Sequence, residues 1–385
     1  MSSDSQRPIK SELEYYDFDQ GSDEWLNLRQ KFITASSIGQ IINSGHKKTV
    51  SYCQLIAEKA SLGEYRSFFG NQATRWGTKY EPVANMIYEH RNPGVIVYDY
   101  GLISNPKYPE LAVSPDGITN RGEMLEIKCP FSRKIDGKIK NDYAAQMQQQ
   151  LLVCEYDVCN FLECKFREFT EHEFWSTSSF TNESGIIIQS EEPVKTPDNS
   201  DLPPVKKKFN YYSPIELGHQ PELLQLWYQY RLEDINQLGG EVVKTSFWCL
   251  DIYFCQKVKR DPDWYSTNHS SIRQFWNDVN EAKENGWQHL VNQSTSNSAS
   301  INSSYNFNTP STTMKKSICL LDDEPQPTIK KGICLLDDEP QIKMKKNICF
   351  LDDETQTFFT NSYRGTKTSL FTPSITMKKH ICLLD

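Results

Sequence analysis

No two cysteines are spaced Cys-x-x-Cys, and the seven histidines are scattered without a Cys/His zinc pattern. The eleven cysteines are an odd number with no ligand spacing. That excludes a stapled secreted scaffold and a zinc ribbon, and predicts reduced, mostly buried thiols. No Gly-x-x-x-x-Gly-Lys loop is present, which excludes a P-loop ATP motor. No apolar run reaches membrane-spanning length, and none near Met1 resembles a secretion signal. A soluble intracellular protein of the cytoplasm or nucleus is therefore expected, with no membrane partner. An excess of positive charge is also missing. Lys and Arg total 42 against 50 Asp and Glu, a net charge of −8. A protein of this balance would hold nucleic acid through a local basic groove and a bound cation, not through its overall field.

What is present falls into three stretches. Residues 1–20 are polar and expected to be loosely ordered. Residues 21–292 should form the folded body, a mixed sheet flanked by helices of the α/β (α+β) class. Helical spacing starts at Asp23, a candidate cap, with Trp25, Leu28 and Phe32, and Ile33 opens a second helical stretch through Ile42. Residues 74–90 place Trp76, Tyr80, Val83, Ala84, Ile87 and Tyr88 on one helical face, with Pro82 inside. Strands are expected over 95–103, 111–114, 124–129, 158–166 and 242–258, and helices over 142–154, 221–238 and 271–291. The Ser/Thr/Pro/Glu-rich run 176–208 reads as an inserted loop or linker. The aromatics Trp248, Tyr253, Phe254, Trp264 and Phe275 are expected to serve the core rather than to stack on bases.

Residues 293–385 form the third stretch, a tail expected to be disordered. The run Met314-Lys-Lys-Ser-Ile-Cys-Leu-Leu-Asp-Asp-Glu recurs from Ile329 and Met344 at a period of 15, and again, truncated, from Met377. Copies this short cannot enclose a core. Their repeated Ile-Cys-Leu-Leu, between basic and acidic flanks, suits a multivalent docking tail for an unidentified protein.

The chemistry is concentrated in Ser114-Pro115-Asp116-Gly117 and Leu125-Glu126-Ile127-Lys128. Side chains alternate along a strand, so Glu126 and Lys128 share one face while Leu125 and Ile127 take the other. A turn at Thr119–Gly122 can bring Asp116 beside Glu126. Two carboxylates so placed suit a hard cation such as Mg²⁺, with Mn²⁺ as an alternative, and a lysine beside them can neutralise charge on a phosphoryl group.

Asp116…Glu126-x-Lys128 resembles the signature of the PD-(D/E)xK nuclease superfamily. The longer run Ser-Pro-Asp-Gly…Leu-Glu-Ile-Lys-Cys-Pro-Phe-Ser resembles its lambda-type phage exonuclease and YqaJ-like viral recombinase branch. Three further blocks agree in order: Leu28-Arg29 with Ile33-Thr34-Ala35-Ser36; Gly77-Thr-Lys-Tyr-Glu81; and Tyr143-Ala-Ala-Gln146-Met-Gln148. The resemblance covers residues 23–166 and implies a restriction-endonuclease-like core. By position it implies Asp116, Glu126 and the Ile127 carbonyl as metal ligands, and Glu81 as the helix carboxylate that completes the site. It makes Lys128 the catalytic lysine and Gln146 the glutamine on the nucleophile side. Arg29 and Ser36 become a pocket for a 5′-phosphate.

The implied activity is a Mg²⁺-dependent DNA exonuclease, 5′→3′ on duplex ends, in viral-type recombination or end processing. A single-strand annealing protein and a homo-oligomeric ring are partners that the family implies. Two alternatives stand beside this. One is a structure-selective endonuclease on the same scaffold; the other is a non-enzymatic DNA-binding or scaffolding protein that works through its repeat tail.

Overall fold

The computed structural model describes residues 10, 12–18, 20–43, 49–66, 70–177, 180–194 and 205–291. Residues 1–9 and 195–204 and the repeat tail lie outside the described residues. In chain order the elements are β1 (Glu14–Tyr16), α1 (Asp23–Arg29), β2 (Ile33–Thr34), α2 (Ala35–Ile42), α3 (Val50–Ala60), α4 (Gln72–Arg91), β3 (Val97–Tyr98), β4 (Leu102–Ser104), β5 (Leu111–Val113), β6 (Gly117–Thr119) and β7 (Met124–Lys128). There follow α5 (Asn141–Cys154), β8 (Val158–Phe169), α6 (Glu171–Ser176), β9 (Ser184–Val194), β10 (Val205–Tyr212), α7 (Pro221–Gln237), β11 (Glu241–Lys259) and α8 (Trp264–Asn285).

One sheet runs β10-β9-β11-β8-β7-β6-β3, and a smaller one runs β1-β4-β5-β2. Most pairs are antiparallel, but β2–β5 and β7–β8 are parallel, and α5 makes the crossover that the second pair requires. The parity expected for β7 is what the packing exhibits. Met124 joins a core with Phe161, Met147 and Leu151 on the α5 side. Leu125 and Ile127 join Tyr80, Val83 and Ile87 on the α4 side. The site-bearing strand is thus clamped between two helices. A third core joins Phe174, Trp227, Ile235 and Phe247, packing α6 and α7 on β9–β11.

Several elements differ from the sequence reading, each for a local reason. The cap of α1 is Ser22, whose hydroxyl accepts from the Trp25 amide, and Asp23 is the first helical residue. Ile33–Thr34 is a short strand paired with β5 before α2 begins. The run 95–103 is not one strand. It splits into β3 and β4 in different sheets, with Gly101 at the crossing, where a β-carbon would run into the Tyr16 carbonyl. The run 176–208 holds β9 and the start of β10, paired antiparallel from Val205↔Val194 to Tyr212↔Ile187. Its isoleucines, Ile186 to Ile188, are buried, and their apolarity was masked by the polar residues around them. The last helix starts at Trp264, a turn or more earlier than its periodicity suggested. Trp248, Trp264 and Phe275 are buried, as expected for core aromatics.

Candidate active site

The hairpin of β6 and β7 sets the centre of the site. Gly117 pairs with Leu125 and Ile118 with Met124. Extending that register by one residue puts Asp116 opposite Glu126. The carboxylate Oδ2 of Asp116 accepts from the Ile127 amide at 2.6 Å, which locks it against the strand. Glu126 is 0 % exposed, so its charge needs partners within the protein. It has two. The Lys128 ammonium bonds Oε1, and Gln150 Nε2 donates to Oε2 at 2.7 Å.

The electrostatics of the cluster are strained on the acidic side. Burial, then the charges of Glu126 and Glu81, push the Asp116 carboxyl well above the usual carboxylate range; Lys128 and the Ile127 amide pull the other way. Burial works against the Lys128 ammonium, but Glu126, Asp116 and Glu81 outweigh it and hold that group above the ordinary lysine value. Lys128 is therefore a cation at any physiological pH. Among the described residues, no three His, Cys, Asp or Glu side chains are grouped closely enough to hold an ion by themselves. Three oxygens of the pair, Asp116 Oδ2 and both of Glu126, instead sit on protein donors. Glu81, on α4, acts on the pair through its charge. An excess of buried carboxylate oxygen, opposed by one ammonium, fits a hard divalent cation in kind.

The glutamine that touches the acid pair is Gln150, which sequence reasoning missed. Gln146, the expected one, lies one turn earlier on the same face of α5 and is half-buried. Gln149 Nε2 instead donates to the carbonyls of Ile33 and Ala112, and Gln148 links to Lys259 and Asp261. Four glutamines within five residues present different faces, so only the helix phase assigns them. Gln150 is 0 % exposed and its Oε1 has no hydrogen-bond partner. An orphaned acceptor beside a buried carboxylate is expensive and marks a polar site, not a packed core.

A second cluster adjoins the first. Arg29 Nη2 donates to Ser36 Oγ at 3.0 Å and to Thr34 Oγ1 at 3.3 Å, so the predicted pair of Arg29 and Ser36 is brought together. The guanidinium stacks 4.0 Å from the Trp25 ring, and Trp25 Nε1 donates to Ser114 Oγ at 3.2 Å. Ser114 stands two residues before Asp116, so at most about 7 Å of chain separates this cluster from the acid pair. Gly39 lets α2, which carries Ser36, approach α5 closely, since a β-carbon there would meet Asp142. Sequence reasoning missed Trp25 and Ser114 as members of this pocket.

A third feature is positive. The Tyr143 ring, on α5, has Lys128 Nζ 5.3 Å, the Arg133 guanidinium 5.8 Å and Lys140 Nζ 6.0 Å from its centre. These cations come from β7 and the Pro130–Lys140 crossover, whose Arg133, Lys134, Lys138 and Lys140 the sequence spelled out. Lys128 is paired with Glu126 and Arg133 with the buried Glu163, so part of this positive charge is balanced within the protein.

Two carboxylates and a lysine thus stand together on a β-hairpin clamped between helices. Residues 24–157 match the model of the YqaJ-like viral recombinase domain. An uncharacterized protein of Acanthamoeba polyphaga mimivirus is 29% identical over 296 residues, 68% of this chain and 52% of that protein. The chain thus spans about half the length of that relative. A protein of African swine fever virus is 23% identical over 307 residues, covering 69% of this chain and 87% of its own. Among solved structures, the alkaline exonuclease of Laribacter hongkongensis superposes with a TM-score of 0.40 at 20% identity, over 71% of this chain and 99% of that one. A phage-related exonuclease of Haemophilus somnus superposes with a TM-score of 0.39 at 14% identity, over 68% of this chain and 98% of that one. No helix among the described residues is long and apolar enough to cross a membrane.

Proposed function

We propose that the protein is a Mg²⁺-dependent DNA exonuclease that acts 5′→3′ on duplex ends in viral-type recombination or end processing. The observation that carries this reading is the Asp116–Glu126 register, with Lys128 on the same strand and Gln150 behind it. The match of residues 24–157 to a viral recombinase domain model supports the same class of chemistry.

In this reading Asp116 and Glu126 hold the cation, with the Ile127 carbonyl as a further ligand and Glu81 completing its surroundings. Bound there, Mg²⁺ would supply Lewis-acid polarisation of the phosphoryl group and a more acidic water. The chain's own residues do the remaining work. Lys128 neutralises charge that develops on the phosphoryl oxygens, and burial makes that neutralisation stronger than in water. Gln150 keeps the Glu126 carboxylate in one rotamer. Gln146, one turn nearer the helix start, faces the incoming strand. Arg29 and Ser36, with Thr34 and Ser114, grip the terminal phosphate through charge-assisted bonds, which sets the strand end against the acid pair. The cations around Tyr143 hold the backbone that follows.

The test is incubation of linear, 5′-phosphorylated duplex DNA with and without Mg²⁺, comparing wild type with Lys128→Ala. Metal-dependent release of mononucleotides, lost in the variant, is expected. A variant that is folded by its unfolding curve and still releases nucleotides at the wild-type rate would defeat the assignment of Lys128. Nicking of closed circles without terminal release would favour the endonuclease alternative.

A further inference from the structure

Lys59 is a charged residue in an apolar position. It sits on α3 among Leu55, Ile56, Ala57 and Ala60, all buried, and is itself only 3 % exposed. Lysine is almost never fully buried without a partner. Its Nζ donates at 2.6 Å to the carbonyl of Arg29, the last residue of α1. A buried ammonium thus grips the backbone of the arginine that lies in the candidate end pocket.

The surroundings of this pair are short of negative charge. Arg29 is held by the hydroxyls of Ser36 and Thr34 and by the Trp25 ring, and Lys59 by a carbonyl, all of them neutral groups. The charged groups that act on Lys59 are Arg29 from α1 and Glu58 on its own helix. Two cations therefore face one acid in a desolvated place. Burial, then the Arg29 charge, bring the Lys59 ammonium down to about 7, while Glu58 offsets part of this. Burial also lowers Arg29, to about 10, against the pull of Glu58. The imbalance is what an arriving dianion would correct, and an internal phosphodiester, with a single charge, would correct it only in part.

We propose that Lys59 is a positioning and specificity-determining residue for 5′-phosphorylated ends: it fixes Arg29 through its carbonyl and supplies the second positive charge that selects a terminal phosphomonoester over an internal diester. The inference rests on reading Arg29 and Ser36 as an end pocket. It also requires that phosphate binding near neutral pH be accompanied by proton uptake at Lys59.

The test uses the full chain in EDTA, so that binding is read without cleavage. Affinity for blunt duplexes with a 5′-phosphate and with a 5′-hydroxyl is measured by fluorescence anisotropy. Binding heats are taken at pH 7.5 in two buffers of different ionisation enthalpy, which gives the protons taken up. Wild type should prefer the phosphate about tenfold or more, a factor that about 1.4 kcal/mol would supply. Lys59→Met should lose most of that preference and the proton uptake, with 5′-hydroxyl binding unchanged, and Lys59→Arg should restore part of the preference. A folded Lys59→Met that keeps both the preference and the proton uptake overturns the proposal, as does equal weakening on both ends. Should Lys59→Met not fold, Lys59→Gln is read by the same criteria. If wild type shows no phosphate preference, and Arg29→Ala changes nothing, the end-pocket reading itself has failed, a result distinct from failure of Lys59 alone.

Discussion

Gln150→Leu separates a residue that orders the site from one that holds the fold. The amide nitrogen of Gln150 gives Glu126 Oε2 a 2.7 Å bond, and its own oxygen has no partner. Removing a hydrogen bond to a charged group costs about 1.5–3 kcal/mol, whereas relieving a buried unsatisfied oxygen returns about 1–3 kcal/mol. Leucine fills a similar volume on the buried face of α5. Leucine also leaves Oε2 of the buried Glu126 carboxylate without its donor, so a net loss of about 1–2 kcal/mol remains and the melting temperature in EDTA should fall by about 2–8 °C, given about 2–4 °C per kcal/mol for a domain of this size. Activity has no such compensation. Glu126 loses the donor that fixes one of its oxygens, and loss of a partner of this kind lowers metal affinity or turnover by about 10–100-fold. The assay is the initial rate of nucleotide release across a Mg²⁺ titration, beside a thermal melt of the same preparation. A rightward shift of the Mg²⁺ curve or a drop in its plateau, in a variant that still melts within about 8 °C of wild type, is the expected result. A folded variant with the wild-type Mg²⁺ curve would refute the role given to Gln150. A loss of stability of 10 °C or more would show that the residue holds the fold instead.

The same physics predicts the behaviour of two other positions. Asp116→Asn keeps an acceptor for the Ile127 amide but removes a carboxylate that burial, Glu126 and Glu81 disfavour. In EDTA at pH 7.5 the variant should melt a few degrees higher while nucleotide release is abolished, the trade of stability against function common at active sites. Because a raised carboxyl destabilises the fold only where it must ionise, the gain should shrink as the pH falls toward the ordinary carboxylate range. Lys59 is lowered from 10.5 to about 7, so between those values the unfolded chain binds more protons than the folded one. Stability should therefore rise with pH across that window, by an upper bound of about 5 kcal/mol at 1.36 kcal/mol per unit. Lys59→Met should remove this rise in chemical denaturation at pH 7 and pH 10; an equal rise in the variant would show that Lys59 is not buried as a strained cation.

Much of the site was legible because its parts are local. The Asp116–Glu126 pairing follows from a hairpin whose strands are joined by three residues between Thr119 and Glu123, where few registers exist. The split of β7 into an α5 face and an α4 face follows from strand alternation alone. Arg29 and Ser36 are close in sequence, and a helix boundary between them leaves little freedom. The capping box of α6, Thr170 with Glu173, is equally local, its two partners three residues apart.

What the chain's letters determined, then, is every arrangement that short-range geometry enforces: strand faces, hairpin register, helix caps and the identity of the acids and lysine. Tertiary structure decided the rest. It chose Gln150 among four glutamines, because only the phase of α5 against β7 says which one faces Glu126. It divided 95–103 between two sheets at a glycine where two backbones meet. It buried Lys59 under Arg29, a pairing of residues thirty positions apart that composition argues against. Such outcomes depend on how separate elements dock, and docking is set by the packed interior as a whole, not by any one segment's pattern.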